Sequence, residues 1–544
     1  MLGKSSRPHL LVLLLLSFSA LFASFSNAYP LSTQNRWIID DATGQRAKLV
    51  CANWAGHLQL MIPEGLDKQP LKDIVGQVVK NNFNCVRLTY AIYMWTRYGD
   101  KENLALSLFK LDLPKVMDGI AKYNPEVLAM TPIQVFEHVI KELGAQKVMV
   151  LLDNHVSEPK WCCDDDDENG FFGDRHFDAG EWIDGLTSAA QHFKGNPAVV
   201  AMSLRNELHG PRQNEGDWYT HISKAATEIH KENPNVLVVV SGLNYDTELQ
   251  FLKKKPLKVN LGNKLVFETH LYAWSGIGTL KLREIWNKQP LNRICAHSIE
   301  GIDERAGFLT MGKKAYPLIF TEFGFDQTQG TSDNVHNRFV SCLQTYLVGR
   351  DLDWGMWALQ GGYYLREDQV SLEETFGILD ANFSQLRYPQ FADKFQLLQR
   401  KNQDPSSKLP YQSIMYHPQS GQCVQVNAKD ELELGNCETK NRWVHDGKGG
   451  QVLLSGTNKC LHAAGEGKPA LVTGDCKSKK SFWKPMSLTK LHLANMGHHG
   501  EHLCLQKDSN TTSIVTAKCI CITDDSACLD NPQSQWFQLV PTNV

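Results

Sequence analysis

Two glutamates are the strongest candidates for chemistry in this sequence. Glu207 closes the segment S-L-R-N-E, and Glu322 closes the segment L-I-F-T-E. Two carboxyl groups at one site can break an acetal, because one must carry a proton when the leaving oxygen departs while the other must be ionised to attack the anomeric carbon. The pair therefore predicts cleavage of a glycosidic bond.

Polar and aromatic side chains near the ends of other apolar segments could bind a sugar or support the two carboxyls. They are Arg87, His155, Asn206, His270, Tyr272 and Trp357. Hydrogen bonds donated by Arg87 and Tyr272 are expected to lower the pKa of Glu322. Asn206 and Glu207 are adjacent, so both reach one site only if the backbone is irregular there.

A second group of residues has two open interpretations. Trp54, Trp161 and Trp274 are either sugar platforms or packing residues. Glu268 has the same parity as His270 along one apolar segment, which predicts a structural carboxyl facing the same interior.

Eight apolar segments are separated by longer amphipathic ones between residues 48 and 362. This alternation predicts strands buried on both faces and connected by helices. No G-x-G-x-x-G follows the first segment, so an α/β fold of the (β/α)8 TIM-barrel type is favoured over a dinucleotide-binding sheet. The predicted strands lie within 48–54, 83–90, 147–155, 199–207, 236–244, 264–272, 317–324 and 354–362.

The same segments resemble glycoside hydrolase family 5, the cellulase-like barrel family, over residues 30–400. The two glutamate motifs carry the resemblance, together with N-C-V-R-L, L-D-N-H and T-H-L-Y. The resemblance implies that Glu207 is the acid/base, that Glu322 is the nucleophile, and that the reaction retains configuration. With the C-terminal region included, the chain looks most like plant cellulase-type members.

The C-terminal region repeats a pattern of two cysteines followed by a tryptophan. The paired positions are Cys423 and Cys437, Cys460 and Cys476, and Cys504 and Cys519. Three such units resemble the ricin-B-type lectin module, which implies an all-β β-trefoil domain with one disulfide in each unit. The family usually has Asp shortly after the first cysteine, where this chain has Gln425, His462 and Gln506. The domain is therefore either an active lectin or a structural one.

The domain boundaries follow from changes in composition. Residues 1–28 are typical of a secretory signal peptide, with Lys4 and Arg7 before an apolar run. Residues 29–400 form the predicted barrel, 401–413 a polar linker with two prolines, and 414–544 the predicted trefoil. Fourteen cysteines fit an oxidising compartment. We expect a secreted extracellular protein, not anchored in a membrane, with glycosylation acceptors at Asn382 and Asn510.

Charge and motifs limit the partners. Fifty-six basic and 59 acidic side chains leave a net charge of −3, which disfavours nucleic acid. A neutral polysaccharide or oligosaccharide is expected, and a monomer. No cofactor and no metal are expected, because the chain has no H-E-x-x-H or phosphate-binding motif. The acidic run 164–168 reads as a solvated loop tied by a cysteine rather than a calcium site.

The leading functional hypothesis is an endo-acting hydrolase of a β-1,4-linked polysaccharide, with cellulosic glucan first. A β-mannanase, a mixed-linkage glucanase and a transglycosylase with the same carboxyl pair are alternatives, because such substrates differ at one hydroxyl or one linkage. A catalytically silent carbohydrate-binding protein is the alternative outside enzymes.

Overall fold

The computed structural model describes residues 30–275, 281–330, 333–496, 501–523 and 527–544. The signal peptide predicted at residues 1–28 lies outside these ranges. The described chain has two parts: a closed barrel of parallel strands with helices around it, and a C-terminal region rich in antiparallel strands. None of the helices in the described ranges is long and apolar enough to cross a membrane.

Eight strands close the barrel in chain order, with the last strand pairing both with the first and with its predecessor. Each lies within or largely within one of the eight predicted segments, which confirms the α/β barrel expected from the sequence. The strands are β3 (Val50–Trp54), β4 (Cys85–Ala91), β5 (Met149–Val156), β6 (Val199–Ser203), β7 (Leu237–Val240), β8 (Leu265–His270), β9 (Leu318–Glu322) and β10 (Asp353–Met356). All their residues are buried, because the barrel interior covers one face and helices cover the other.

Helices connect most of the strands and form the outer layer. They are α1 (Leu71–Lys80), α2 (Leu104–Lys110), α3 (Pro114–Tyr123), α4 (Pro132–Ala145), α5 (Ala179–His192), α6 (Glu215–Glu232), α7 (Lys281–Lys288), α8 (Leu291–Arg305), α9 (Val335–Arg350) and α10 (Phe391–Phe395). α4 shows how the sequence starts such a helix: Thr131 and Gln134 form a reciprocal capping box, with Pro132 at the first helical position.

Two short hairpins flank the barrel. β1 (Leu31–Gln34) pairs with β2 (Trp37–Asp40) before the first barrel strand. β11 (Leu365–Arg366) pairs with β12 (Gln369–Val370) in the loop after the last barrel strand. The second hairpin lies at the end of the barrel where the strands terminate, so it contributes to the rim of the site described below.

The C-terminal region contains two antiparallel sheets. Its strands are β13 (Gln412–His417), β14 (Gln422–Val426), β15 (Leu432–Gly435), β16 (Trp443–Val444), β17 (Gly450–Gln451), β18 (Leu453–Leu454), β19 (Cys460–His462), β20 (Leu471–Thr473), β21 (Phe482–Met486), β22 (His492–Met496), β23 (His502–Lys507), β24 (Ile514–Lys518) and β25 (Gln538–Thr542). In each of the three repeats the two cysteines form a disulfide and the tryptophan is buried.

The segment interpreted as a linker, 401–413, is packed between the two parts. Asn402 and Gln403 are buried, and their backbone N–H groups donate to the Asp351 carboxylate at 3.0 and 2.7 Å. The backbone N–H of Asp404 donates to Asn543 Oδ1 at 2.9 Å. The last two residues of the segment already belong to β13. Its polar composition reflects these buried hydrogen bonds, so the segment is not a free tether.

Candidate active site

The two candidate glutamates line one cavity of about 960 Å³ at the carboxyl ends of the barrel strands. Glu322 is the last residue of β9, whereas Glu207 lies beyond the end of β6. All six supporting residues predicted from the sequence either line the same cavity or contact one of the two glutamates by a hydrogen bond. The cavity is lined by His155, Asn206, Tyr272 and Trp357, while Arg87 bonds to Glu322 and His270 bonds to Glu207.

The irregular backbone that the sequence requires at Asn206 and Glu207 is present. β6 ends at Ser203, and Glu207 has a φ of 34°, in the left-handed region that non-glycine residues rarely adopt. The backbone N–H of Asn206 donates to the carbonyl of Asn154 at 2.8 Å, which fixes this turn against β5. As a result, both adjacent side chains reach the cavity.

His270 links the two carboxyl groups. Its Nδ1 is 2.8 Å from Glu207 Oε1 and 3.8 Å from Glu322 Oε2. One oxygen of each glutamate and one ring nitrogen of His270 lie within 4.8 Å of one another. By spacing alone these three groups could also ligate a metal ion, but they already make direct contacts with each other. In this arrangement one carboxyl can attack the carbon of a C–O bond while the other protonates the oxygen of the same bond.

Glu322 has two hydrogen-bond donors that Glu207 lacks. Arg87 Nη1 donates to Glu322 Oε1 at 2.6 Å, and the Tyr272 hydroxyl donates to Oε2 at 3.0 Å. The other nitrogen of Arg87 forms an ion pair with Asp153 at 2.8 Å. The guanidinium is fully buried, and a third carboxylate, Glu268, lies 3.9 Å from Nη2, so buried carboxylates rather than water balance its charge.

The different surroundings of Glu207 and Glu322 give the two carboxyl groups different pKa values. Burial raises the pKa of Glu207 well above its ordinary value, and the nearby Glu322 charge raises it further. Burial also raises the pKa of Glu322, but there Arg87 and the Tyr272 hydrogen bond oppose the effect. The pKa of Glu322 is therefore raised rather than lowered as expected from the sequence, because burial outweighs the two hydrogen bonds, and the bonds only keep it below the pKa of Glu207. Burial holds the pKa of His270 well below its usual range, so its ring is neutral.

Aromatic rings form the wall next to Glu322. The ring of His155 stacks on Trp357 with centroids 5.4 Å apart, and its Nδ1 lies 2.7 Å from Asp153 Oδ2. Tyr272 stacks on Trp274 at 4.9 Å. Trp54, in contrast, is fully buried and is a packing residue.

Several lining residues come from loops and were not identified from the sequence. They are Asp165, Asn244, Tyr245, Arg366, Glu374 and Phe376. Trp161, one of the three tryptophans whose role the sequence left open, lies at this rim with the Arg366 guanidinium 3.3 Å from its ring centroid. These residues belong to the site only because their loops lie close together in the folded protein, and a single sequence does not show which loops meet.

The acidic loop 164–168 is held by protein donors rather than by a cysteine link to another element. The Tyr245 hydroxyl donates to Asp165 Oδ1 at 2.5 Å, and His209 Nε2 lies 3.1 Å from Asp167 Oδ2. Cys162 and Cys163 form a disulfide with each other. Two adjacent residues cannot tie a loop to another element, so the expected cysteine tie is wrong.

Asn382, Asn510 and Glu268 do not line the cavity. Asn382 and Asn510 are both exposed, as a glycosylation acceptor must be. Glu268 is buried inside the barrel, where it accepts a hydrogen bond from Ser203 Oγ.

A closed parallel barrel whose strand ends carry two facing carboxyls, one held by an arginine and a tyrosine, defines a glycosidase. The chain belongs to glycosyl hydrolase family 5: the family model described as cellulase matches residues 41–362. The barrel of this protein is therefore a cellulase-family catalytic domain.

Relatives extend this assignment. The chain is 39% identical to a glycosyl hydrolase 5 family protein of Chamaecyparis obtusa, across 98% of this chain and 97% of that protein. It is 24% identical to an endoglucanase of Paenibacillus polymyxa, across 60% of this chain and 79% of that enzyme. The solved endocellulase of the archaeon Pyrococcus horikoshii superimposes with a TM-score of 0.55 at 17% identity, covering 69% of this chain and 99% of that one, which shows a common fold.

Proposed function

We propose that this protein is a secreted, retaining endo-β-1,4-glucanase acting on a cellulosic glucan. The observation that carries the proposal is the approach of the two carboxyl groups, with oxygens within 4.8 Å of each other at one cavity. Retaining glycosidases place their carboxyls about 5–5.5 Å apart, whereas inverting enzymes leave room for a water between them. The endoglucanase of Paenibacillus polymyxa among the relatives supports the choice of substrate.

In the proposed first step, Glu322 attacks the anomeric carbon while Glu207 donates its proton to the leaving oxygen. Arg87 and Tyr272 hold Glu322 ionised and aim its oxygens. In the second step, Glu207 accepts a proton from water, and that water releases the sugar from Glu322. Asn206 is placed to donate from Nδ2 to a sugar hydroxyl, since its Oδ1 already accepts from Arg87 Nη2 at 2.9 Å.

The test is release of reducing ends from cellulosic glucan, mixed-linkage glucan, mannan and xylan. Wild type is expected to act best on a β-1,4-glucan, and Glu322→Ala to lose at least about a thousandfold in rate. Glu300→Ala, an exposed change on α8, is the matched control. A preference for mannan would contradict the proposed glucan substrate. Transfer products in place of hydrolysis would indicate a transglycosylase. A wild type that binds a polysaccharide without cleaving any would be a binding protein.

The C-terminal region is proposed to be a ricin-B-type β-trefoil with a structural role. At positions that bind sugar in that family, the side chains contact other residues of the same domain. His462 Nδ1 lies 3.0 Å from Ser481 Oγ, and Gln506 Oε1 accepts a hydrogen bond from Gln535 at 2.8 Å. The test is binding of full-length Glu322→Gln to insoluble cellulose in the presence of excess cellotetraose. Loss of binding supports a structural domain, and persistent binding indicates a lectin.

Secretion is proposed from residues 1–28 and from the seven disulfides of the described chain. Expression in a eukaryotic host tests it directly. The protein in the medium is expected to begin near Tyr29 and to lose mass on enzymatic deglycosylation. An intact N-terminus inside the cell would contradict the proposal.

A further inference from the structure

The Cys162–Cys163 disulfide lies on the cavity wall, and the proposed mechanism gives it no role. The other disulfides of the described chain join residues 7 to 47 positions apart. A disulfide stabilises a fold mainly by closing a loop in the unfolded chain, and a bond between adjacent residues closes none. Any effect of the Cys162–Cys163 disulfide must therefore act through its contacts with neighbouring residues in the folded protein.

The two sulfur atoms lie beside the side-chain amide of Asn206. Asn206 Nδ2 is 3.7 Å from Cys162 Sγ and 3.9 Å from Cys163 Sγ. The other end of the same amide accepts a hydrogen bond from Arg87 at 2.9 Å. The contact with the disulfide orients the amide. Because sulfur is only a weak acceptor, the N–H groups of Asn206 stay available to a sugar hydroxyl.

Reduction would change this contact. The oxidised pair has no hydrogen atom to donate, and Cys162 packs against Ala91 and Val156 behind the cavity wall. Two thiols would rotate independently and act as donors, which gives the Asn206 amide new partners. Both cysteines line the cavity, so a small reductant can reach them and a bound sugar would shield them.

Building on the proposed function as a retaining endo-β-1,4-glucanase, we propose that the Cys162–Cys163 disulfide positions Asn206 for a sugar hydroxyl at the cleavage site, and that its reduction lowers activity. With a dithiol as reductant, two electrons and two protons pass to the pair. The sulfur–sulfur bond breaks, two thiols form, and the dithiol closes into a cyclic disulfide.

The first test compares Cys162→Ser/Cys163→Ser with Cys521→Ser/Cys528→Ser, a control pair in the C-terminal region. On cellopentaose, kcat/KM for each titrated active site is expected to fall at least tenfold in the first variant and less than twofold in the control. In an Asn206→Ala background, the first change is expected to have less than a threefold effect, because that amide carries the contact. An unchanged kcat/KM, or an equal loss in both backgrounds, would overturn the inference.

The second test treats the folded full-length enzyme with dithiol and follows thiol labelling by mass spectrometry. Activity is expected to fall in proportion to labelling at Cys162 and Cys163 and to return on reoxidation, while Cys162→Ser/Cys163→Ser does not respond. Labelling of the pair without loss of activity would overturn the inference alone. A wild type inert on every polysaccharide before reduction would overturn the proposed function, and the inference with it.

Discussion

Glu207 and Glu322 carry the same carboxyl group in different surroundings. Glu322 receives hydrogen bonds from Arg87 and Tyr272, whereas the nearest partner of Glu207 is the neutral ring of His270. At a pH between the two pKa values, the pair holds one proton, and that proton resides on Glu207. This is the protonation state that a double displacement requires at its start.

The pH profile of kcat/KM follows from this assignment. As pH falls, protonation of Glu322 removes the nucleophile, and as pH rises, ionisation of Glu207 removes the acid, so a bell-shaped profile is expected. In Tyr272→Phe, the pKa of Glu322 loses a hydrogen bond that lowers it, so the acidic limb should move to higher pH. We expect a loss of roughly tenfold at the optimum. Tyr411→Phe, at an exposed site, is the control, and an acidic limb that stays in place would refute the role of Tyr272.

The role of Glu207 can be separated from that of Glu322 by an added nucleophile. Glu207→Ala is expected to lose about 10²–10⁴-fold on cello-oligosaccharides, but less on an aryl glycoside whose leaving group needs no proton. Azide should restore turnover of that aryl glycoside by this variant and give a β-glycosyl azide, because azide replaces water at the glycosyl-enzyme. An α-glycosyl azide from this variant would assign the nucleophile to Glu207 instead.

Among the secondary-structure elements, the barrel strands could be predicted from the sequence because apolar patterning determines them. Eight buried strands were recognisable because both faces of each are covered, and the two candidate glutamates were found at or just beyond the ends of two of them. The rim residues Asp165, Tyr245 and Arg366 were not recognisable, because loops from distant parts of the chain meet there. The partner of Cys162 was equally unpredictable, since spacing alone does not determine which cysteines pair.

Arg205 ties the loop after β5 to the turn that carries Glu207. Its buried guanidinium donates to Ser157 Oγ at 2.9 Å and to the backbone carbonyl of Asn169. Arg205→Lys cannot make both bonds, so we expect about 2–4 kcal/mol lower stability and at least a tenfold loss in kcat/KM. Thermal unfolding and cellopentaose kinetics measure both. Arg212→Lys, on an exposed side chain, should change neither, and equal behaviour of the two variants would show that the tie is unimportant.

At the scale of the whole molecule, the barrel and the C-terminal region share a continuous apolar core that includes Ile414 and Trp536. Trp536 Nε1 donates to Asn292 Oδ1 of α8 at 2.9 Å, and Gln538 Nε2 donates to the carbonyl of Thr345 in α9 at 2.9 Å. The sequence predicted two domains from composition, but it held no sign that they are packed together. Contacts of this kind depend on surface shape rather than on periodicity.

Gly421 provides a test of this packing. It has a φ of +76°, and a Cβ there would lie 2.3 Å from the Lys394 backbone of α10, whereas Gly447 has a φ of +74° with nothing within 4 Å. Gly447→Ala should therefore show only the backbone cost of about 1 kcal/mol. Gly421→Ala should cost about 2–4 kcal/mol in total and speed proteolysis within 401–413. Equal unfolding temperatures and cleavage rates for the two variants would contradict the close packing.

Trapping of the glycosyl-enzyme with a 2-deoxy-2-fluoro cellobioside that has an activated leaving group identifies the nucleophile directly. We expect one label per molecule, on the peptide that contains Glu322, and no label in Glu322→Gln. A label on another residue, or a first product of inverted configuration from the natural substrate, would contradict this expectation.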